Sequence, residues 1–337
     1  MTMSALQLAA QHRVDPRLLV EVTDEVAAVE AELKLLVRSQ LDLVDRVGRT
    51  TLEAGGKRLR PAFVALAAQS ISESSDKQRM ITMGAVMEMI HMATLIHDDV
   101  IDQAKLRRGK PTAATEVGNT AAILSGDVLL AKAMVALAQD GDLDIIRTVS
   151  EAVVEMAEGE VREIEARGNF DLQEADLLNI LRHKTAGFIE CCCSVGALLA
   201  GADEKSRSAL ALYGHHVGMA FQLVDDLLDY RGERSKTGKA IGGDFREGQA
   251  TLPLIHLRSR LSEGEDKIAR QKFGDHASDD EIRMISDWMA TRGSFAETER
   301  QAKAHATAAV NALHQLPETR ARKLLEIVAA YVIERVN

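Results

Sequence analysis

Residues 77–102 read KQRMITMGAVMEMIHMATLIHDDVID. The stretch has no proline and no alternation of apolar with polar residues, and its 26 residues far exceed the length of a strand. It predicts one long helix from about Lys77 to Asp102, buried on most of its circumference, with Asp98, Asp99 and Asp102 in its last turn. Working outward, Pro16–Val47 carries Leu19, Val22, Val26, Val29, Leu33 and Leu36 at helical spacing and predicts one or two helices. EAGGKRLRP (53–61) is a break, a helix starts at Pro61, and 71–76 is a polar linker. On the other side, QAKLRRGKP (103–111) is a loop. From Pro111 to Pro253 no proline intervenes, and Ala, Leu, Glu and Val abound, which favours helices over 112–139, 142–167, 173–200 and 204–231. Residues 232–249 hold five glycines and read as a loop. A helix follows Pro253, then an acidic break around 262–280 and helices near 279–291, 295–315 and 318–335. The class is all-α, with no low-complexity tract and no clear linker, so 1–337 is expected to form one domain.

The 337 residues weigh 36.7 kDa and carry 41 Lys+Arg against 51 Asp+Glu, a net charge of −10. With 46% hydrophobic and 27% charged residues the chain can bury a core, which excludes disorder. The acidic balance argues against nucleic acid, whose phosphates need a basic face, and 3% aromatics offers no platform for stacking bases. Cys191, Cys192 and Cys193 are consecutive, and no CxxC spacing exists, so zinc is not signalled. They fit a buried helix in a reducing cytosol. No secretory leader and no apolar run of 18 residues is apparent, so neither export nor a membrane span is expected and the location is read as cytoplasmic.

The Asp98-Asp99-Val-Ile-Asp102 pattern returns 127 residues later as Asp225-Asp226-Leu-Leu-Asp229. One such pattern is expected by chance about 0.1 times in a chain of this composition, so two are not coincidence. Positions i and i+4 share a helix face, so Asp98 lies above Asp102 and Asp225 above Asp229. Like charges so placed repel, and they stand at the helix end whose dipole disfavours them. A solvated acidic turn would be the bland alternative, but apolar residues flank both clusters. A hard cation such as Mg2+ removes the conflict; it takes few carboxylates and shares its oxygen shell with phosphate. Cations stand nearby in sequence: Lys57, Arg58 and Arg60 beside Gly55 and Gly56, and Arg107, Arg108 and Lys110 after the first cluster. Arg grips phosphate bidentately. Together these suggest a Mg2+–diphosphate site. Glu88, His91, Leu95, Asp98 and Asp102 form one helical stripe; Gln222, Asp225, Asp226 and Asp229 form another.

GGKRLRP (55–61), HMATLIHDDVID (91–102), RRGKPT (107–112), GD (126–127), KT (184–185), FQLVDDLLD (221–229) and GK (238–239), in this order, resemble the trans-isoprenyl diphosphate synthases of the polyprenyl synthetase family. The pattern covers roughly 55–255, and ATLIHDDVID looks most like the octaprenyl to decaprenyl enzymes. The resemblance implies a bundle of about 10–13 helices around a central cavity. It implies that Lys57, Arg60, His91 and Arg108 bind the diphosphate of isopentenyl diphosphate. Arg107, Lys184, Thr185, Gln222 and Lys239 would bind the allylic diphosphate. Asp98, Asp102 and Asp225 would ligate Mg2+, with Asp99, Asp226 and Asp229 in support and three ions per site when substrate is bound. A homodimer, a quinone side chain as the product's use, and a peripheral membrane contact for product release are implied likewise. One departure stands out: where the family often has a second lysine, this chain has Gln249.

Ala93 and Thr94, one turn before Asp98, are small enough to leave a product cavity open, and one turn is about 5.4 Å, close to an isoprene unit. Met87 and Ile90 lie deeper. Other readings fit less well. A di-iron bundle needs two Glu-x-x-His motifs, and only Glu88–His91 is present. A terpene cyclase would not repeat DDxxD. A shorter-chain synthase, or a non-catalytic subunit of a heteromeric one, remains as the alternative; such a subunit usually loses one Asp motif, and both are intact here.

Overall fold

The computed structural model describes residues 16–231, 241–274 and 277–334. Its helices are α1 (Pro16–Leu36), α2 (Asp42–Glu53), α3 (Leu59–Ile71), α4 (Lys77–Ile101), α5 (Ala113–Val117), α6 (Asn119–Asp140), α7 (Leu143–Ala166) and α8 (Glu174–Leu181). After one π-helical turn (Arg182–Ala186) follow α9 (Gly187–Leu199), α10 (Glu204–Arg231), α11 (Gly243–Arg246), α12 (Leu252–Arg258), α13 (Glu263–Lys272), α14 (Asp279–Thr291), α15 (Ser294–Leu313) and α16 (Arg320–Glu334). The only strands among the described residues are the two-residue pair β1 (Leu106–Arg107) and β2 (Lys110–Pro111). The protein is all-α, and thirteen of these helices have eight residues or more.

The chain divides into two compact units. Among the described residues, the first comprises 16–149, 191–211 and 314–328, and the second comprises 150–190, 212–231, 241–274, 277–313 and 329–334. In the first, α4 packs against α1, α3 and α6. Its start is fixed by Asp76, whose Oδ1 accepts the Arg79 amide at 3.0 Å. Met83, Val86, Met87, Met89, Ile90, Met92 and Ile96 are all buried, and they leave α4 on every side. Burying each such side chain contributes about 1.5–3 kcal/mol, which explains how a helix ending in three aspartates is held in place. Gly84 lets α3 approach; a Cβ there would stand 3.3 Å from Pro61 Cα. By length and composition α4 and α6 would be apolar enough to cross a membrane, but two-thirds of the apolar window of α4 is buried within the protein. In the second unit, α15 packs against α12 and α14.

The structure departs from the sequence reading in local ways. The helix expected over 112–139 is broken at Gly118, whose φ of 82° no other residue adopts cheaply. The acidic break expected near 262–280 contains α13, because Ser262 and Glu265 form a capping box. The helix expected over 173–200 is interrupted by the π turn. The glycine-rich stretch lies outside the described residues at 232–240, and Lys239 with it.

Candidate active site

The last turn of α4 presents the first aspartate cluster, with Asp98 half-buried, Asp99 buried and Asp102 exposed as the helix C-cap. The basic stretch after it, read as a loop, is a tight hairpin. Arg108 and Gly109 have φ of 52° and 77°, the pair of positive values that a two-residue turn with the twist of its strands requires. The hairpin returns Arg107 to α4, where its Nε donates to Asp99 Oδ1 at 2.8 Å. Burial raises the Asp99 pKa, and Arg107 works against that rise. The GD motif at 126–127 lies against the same turn. His97 Nε2 is 3.3 Å from Asp127 Oδ1, and a Cβ on Gly126 would stand 2.4 Å from that nitrogen.

The three cations of 57–60 have different fates. Arg58, read as part of a phosphate grip, is buried in the core at a φ of 49°. Its guanidinium donates to Glu88 Oε1 at 2.8 Å, Glu30 Oε1 at 3.2 Å and the Leu52 carbonyl at 2.9 Å. That explains Glu88, which is buried and serves as the partner of Arg58. Lys57 is exposed and Arg60 half-buried. His91 is held well below its ordinary pKa, first by burial and then by Arg60, Arg108, Arg107 and Arg58. It is therefore a neutral imidazole amid cations, able to donate one hydrogen bond without adding charge. Ala93 is buried and Thr94 half-buried, its hydroxyl donating to the His91 carbonyl at 2.9 Å.

In the second unit a cavity of about 430 Å³ opens beside the end of α10. Gln222, Asp225, Asp226 and Asp229 line it, with Lys184 from the π turn and Glu163 from α7. Two short helices fix the aspartates. Asp226 Oδ2 accepts the Leu252 amide at 3.1 Å at the start of α12. Asp229 accepts the amides of Gly243 and Asp244 at 3.1 and 3.3 Å at the start of α11. Helix N-termini suit carboxylates, yet the site is overloaded with negative charge. Burial pushes Asp226 up to about 8, with Asp225 and Asp229 adding to the rise and the Leu252 amide opposing it. Asp244, also in the lining, is raised well above the ordinary carboxylate range by burial and then by Asp229 and Asp226. Gln249 lines the cavity as well, so the cation that the family pattern suggests at this position is replaced by a neutral amide. Thr185 lies on the π turn beside Lys184 but not in the lining.

This donor set fits a hard divalent cation: carboxylate oxygens in surplus, two of them strongly disfavoured as anions while uncompensated. Among the described residues no three acidic, histidine or cysteine side chains already converge on one metal position. Mg2+ commonly takes one or two carboxylates and completes its shell with water and phosphate.

A model of the polyprenyl synthetase family matches residues 42–289. The chain belongs to the polyprenyl synthetase family. It is a prenyltransferase of the all-α isoprenoid synthase fold. Component 2 of the heptaprenyl diphosphate synthase of Bacillus subtilis is 34% identical over 315 residues, covering 93% of this chain and 89% of that one. The decaprenyl diphosphate synthase of Rhodobacter capsulatus superposes with a TM-score of 0.89 at 34% identity, over 95% of this chain and 99% of that one. A polyprenyl synthase of Caulobacter crescentus, solved with calcium and isoprenyl diphosphate, superposes with a TM-score of 0.87 at 32% identity, over 95% and 98%.

Sequence reading missed Asp244, Glu160 and Glu163. Asp244 follows Gly242-Gly243, 15 residues after Asp229, a spacing that means nothing until α11 turns back onto α10. Glu160 and Glu163 share a helix face, a signal common on any solvated helix.

Proposed function

We propose that this chain is an all-trans polyprenyl diphosphate synthase. It condenses isopentenyl diphosphate units successively, 1'-4, onto an allylic diphosphate, giving an octaprenyl to decaprenyl product for quinone side chains. The observation that carries this reading is the second aspartate cluster lining one cavity with Lys184 and Gln222, in a chain of this family. The heptaprenyl and decaprenyl activities named for its relatives support a long product, and the calcium in the Caulobacter structure supports a divalent ion.

Asp98, Asp102 and Asp225 would hold Mg2+, with Asp99, Asp226 and Asp229 in support. Bound Mg2+ would neutralise charge on the departing pyrophosphate. The chain's own residues do the rest. Lys184 donates to the allylic diphosphate as its bond to carbon breaks, and Gln222 orients it. Leu172, Leu177, Ile180 and Leu181 form an apolar wall of the cavity, which excludes water that would quench an allylic cation. Lys57, Arg60, Arg108 and neutral His91 hold isopentenyl diphosphate, whose double bond attacks that cation before a proton from its C2 passes to the departed pyrophosphate. Ala93 and Thr94 leave room for a growing chain.

The family domain is proposed to span 1–337, in a cytoplasmic homodimer that meets the membrane only peripherally. One observation favours a second reading: the Bacillus relative is named component 2 of its heptaprenyl diphosphate synthase. Chromatography of products from labelled isopentenyl diphosphate decides between them. The purified chain alone is expected to give a Mg2+-dependent octaprenyl to decaprenyl product. Product that appears only with a partner protein would establish the second reading, and a farnesyl or geranylgeranyl product would refute the long-chain assignment.

A further inference from the structure

The cavity in the second unit has five carboxylates in its lining, Glu163, Asp225, Asp226, Asp229 and Asp244, against two cations, Arg167 and Lys184. Lys184 is already engaged. Its Nζ donates to Glu163 Oε2, and Glu160 Oε2 stands 2.9 Å from the same nitrogen. Burial alone would lower the lysine pKa, but Glu163 and Glu160 outweigh it and hold the ammonium charged.

The two carboxylates are not equivalent. Glu160 lies outside the cavity lining, and its second oxygen, Oε1, is buried without a hydrogen-bond partner. Releasing Lys184 would leave both oxygens of this half-buried carboxylate uncompensated, Oε1 having no other partner, so the Glu160–Lys184 pair resists opening. Glu163 faces the cavity, where water or a ligand can replace what it gives up. The backbone fixes the arrangement. Gly159 lets the π turn approach so closely that a Cβ would meet the Lys184 amide nitrogen at 2.6 Å. Lys184 is thus pinned from behind by Glu160 and capped from the front by Glu163.

We propose that Glu163 is a placeholder for the allylic diphosphate: its carboxylate occupies the phosphate's position on Lys184 in the empty enzyme and must yield when the diphosphate enters. This rests on the proposed synthase reading and adds to it a residue that tunes diphosphate affinity. An ammonium has three donors. A phosphate oxygen beside an ionised Glu163 meets repulsion, and one that displaces it meets Lys184 still aligned by Glu160. The same exchange in reverse helps pyrophosphate leave after each condensation. Glu163 is therefore a positioning residue that trades ground-state affinity for release.

The test is calorimetric binding of inorganic pyrophosphate with Mg2+ to the full-length wild-type, Glu163→Gln, Glu163→Ala and Glu160→Gln proteins, with KM for the allylic diphosphate and kcat measured alongside. Removing the Glu163 charge is expected to tighten pyrophosphate by at least about fivefold, lower KM and lower kcat, and Glu163→Ala should do the same if Glu163→Gln folds poorly. Glu160→Gln is expected to weaken binding, because it releases Lys184 from behind. General damage to the fold does not tighten a ligand, so the sign separates placeholder from scaffold. Wild-type protein that binds pyrophosphate and turns over, with Glu163 variants binding equally or more weakly, overturns this proposal and leaves the synthase reading standing. Wild-type protein that neither binds Mg2+–pyrophosphate nor turns over overturns both.

Discussion

Gly159→Ala sets helix propensity against packing. Gly159 lies in the interior of the 24-residue α7, where glycine is less favourable than alanine by about 1 kcal/mol, so on propensity alone the change should stabilise. The structure predicts the reverse. The added Cβ would stand 2.6 Å from Lys184 N and 2.9 Å from both the carbonyl carbon and the Cβ of His183. Two of these are backbone atoms of the π turn, and no rotamer relieves the clash. Overpacking a fitted contact costs about 1–3 kcal/mol; against the propensity gain this leaves a net loss of about 0–2 kcal/mol in place of the gain of about 1 kcal/mol. Relief comes through moving the π turn, and with it Lys184. A displacement near 1 Å at a positioning group costs about 10²-fold in turnover. Urea unfolding followed by circular dichroism reads the first quantity and steady-state condensation the second. An alanine variant about 1 kcal/mol more stable than wild type, with unchanged turnover, would refute the close approach of α7 to the π turn.

Three further outcomes follow from other parts of the protein. Arg58→Ala should cost about 3–5 kcal/mol in urea unfolding, because it strands the buried Glu88 carboxylate; a loss within the range of a surface substitution would show that the pair is not buried in solution. Ala93→Phe should shorten the longest product seen by chromatography and, since Ala93 is 1% exposed, cost about 1–3 kcal/mol; an unchanged product distribution would reject its role in chain length. His305 is lowered from 6.5 to about 4 by burial and then by His216 and His215, and its Nδ1 is 2.9 Å from His216 Nδ1. A base with a depressed folded pKa contributes stability that is fully present above 6.5 and is lost as pH falls through about 4. His305→Gln should flatten the fall in urea midpoint across that window, and an unaltered slope would show that the pair is not the source.

Long features were legible in the sequence, and features made by chain reversal were not. The apolar density of 77–102 and the duplicated aspartates identified α4, α10 and the all-α class without knowledge of any contact. The π turn could not be read, because RHKTA has ordinary helical composition and the close approach it makes to Gly159 is to a residue of another helix. The Arg108–Gly109 hairpin is too short for an alternating pattern, and only its two positive φ values reveal it. Arg58, Lys57 and Arg60 look alike in sequence. What separates them is the buried partner Glu88, 30 residues away on α4, which the sequence places only on the stripe it shares with the aspartates. Glu163 and Asp244 are acidic residues in an acidic chain and gain meaning only where the cavity collects them.

The most direct measurement is pyrophosphate released per isopentenyl diphosphate consumed, followed with wild-type, Asp98→Ala and Asp225→Ala proteins, with and without a chelator. The expected result is one pyrophosphate per unit added, abolished by the chelator. Each substitution should lower the rate by about 10²–10³ or more while the far-ultraviolet circular dichroism stays unchanged. Release that persists in the chelator, or near-normal turnover in either variant, would contradict a role for the paired aspartates in gripping a metal-bound diphosphate.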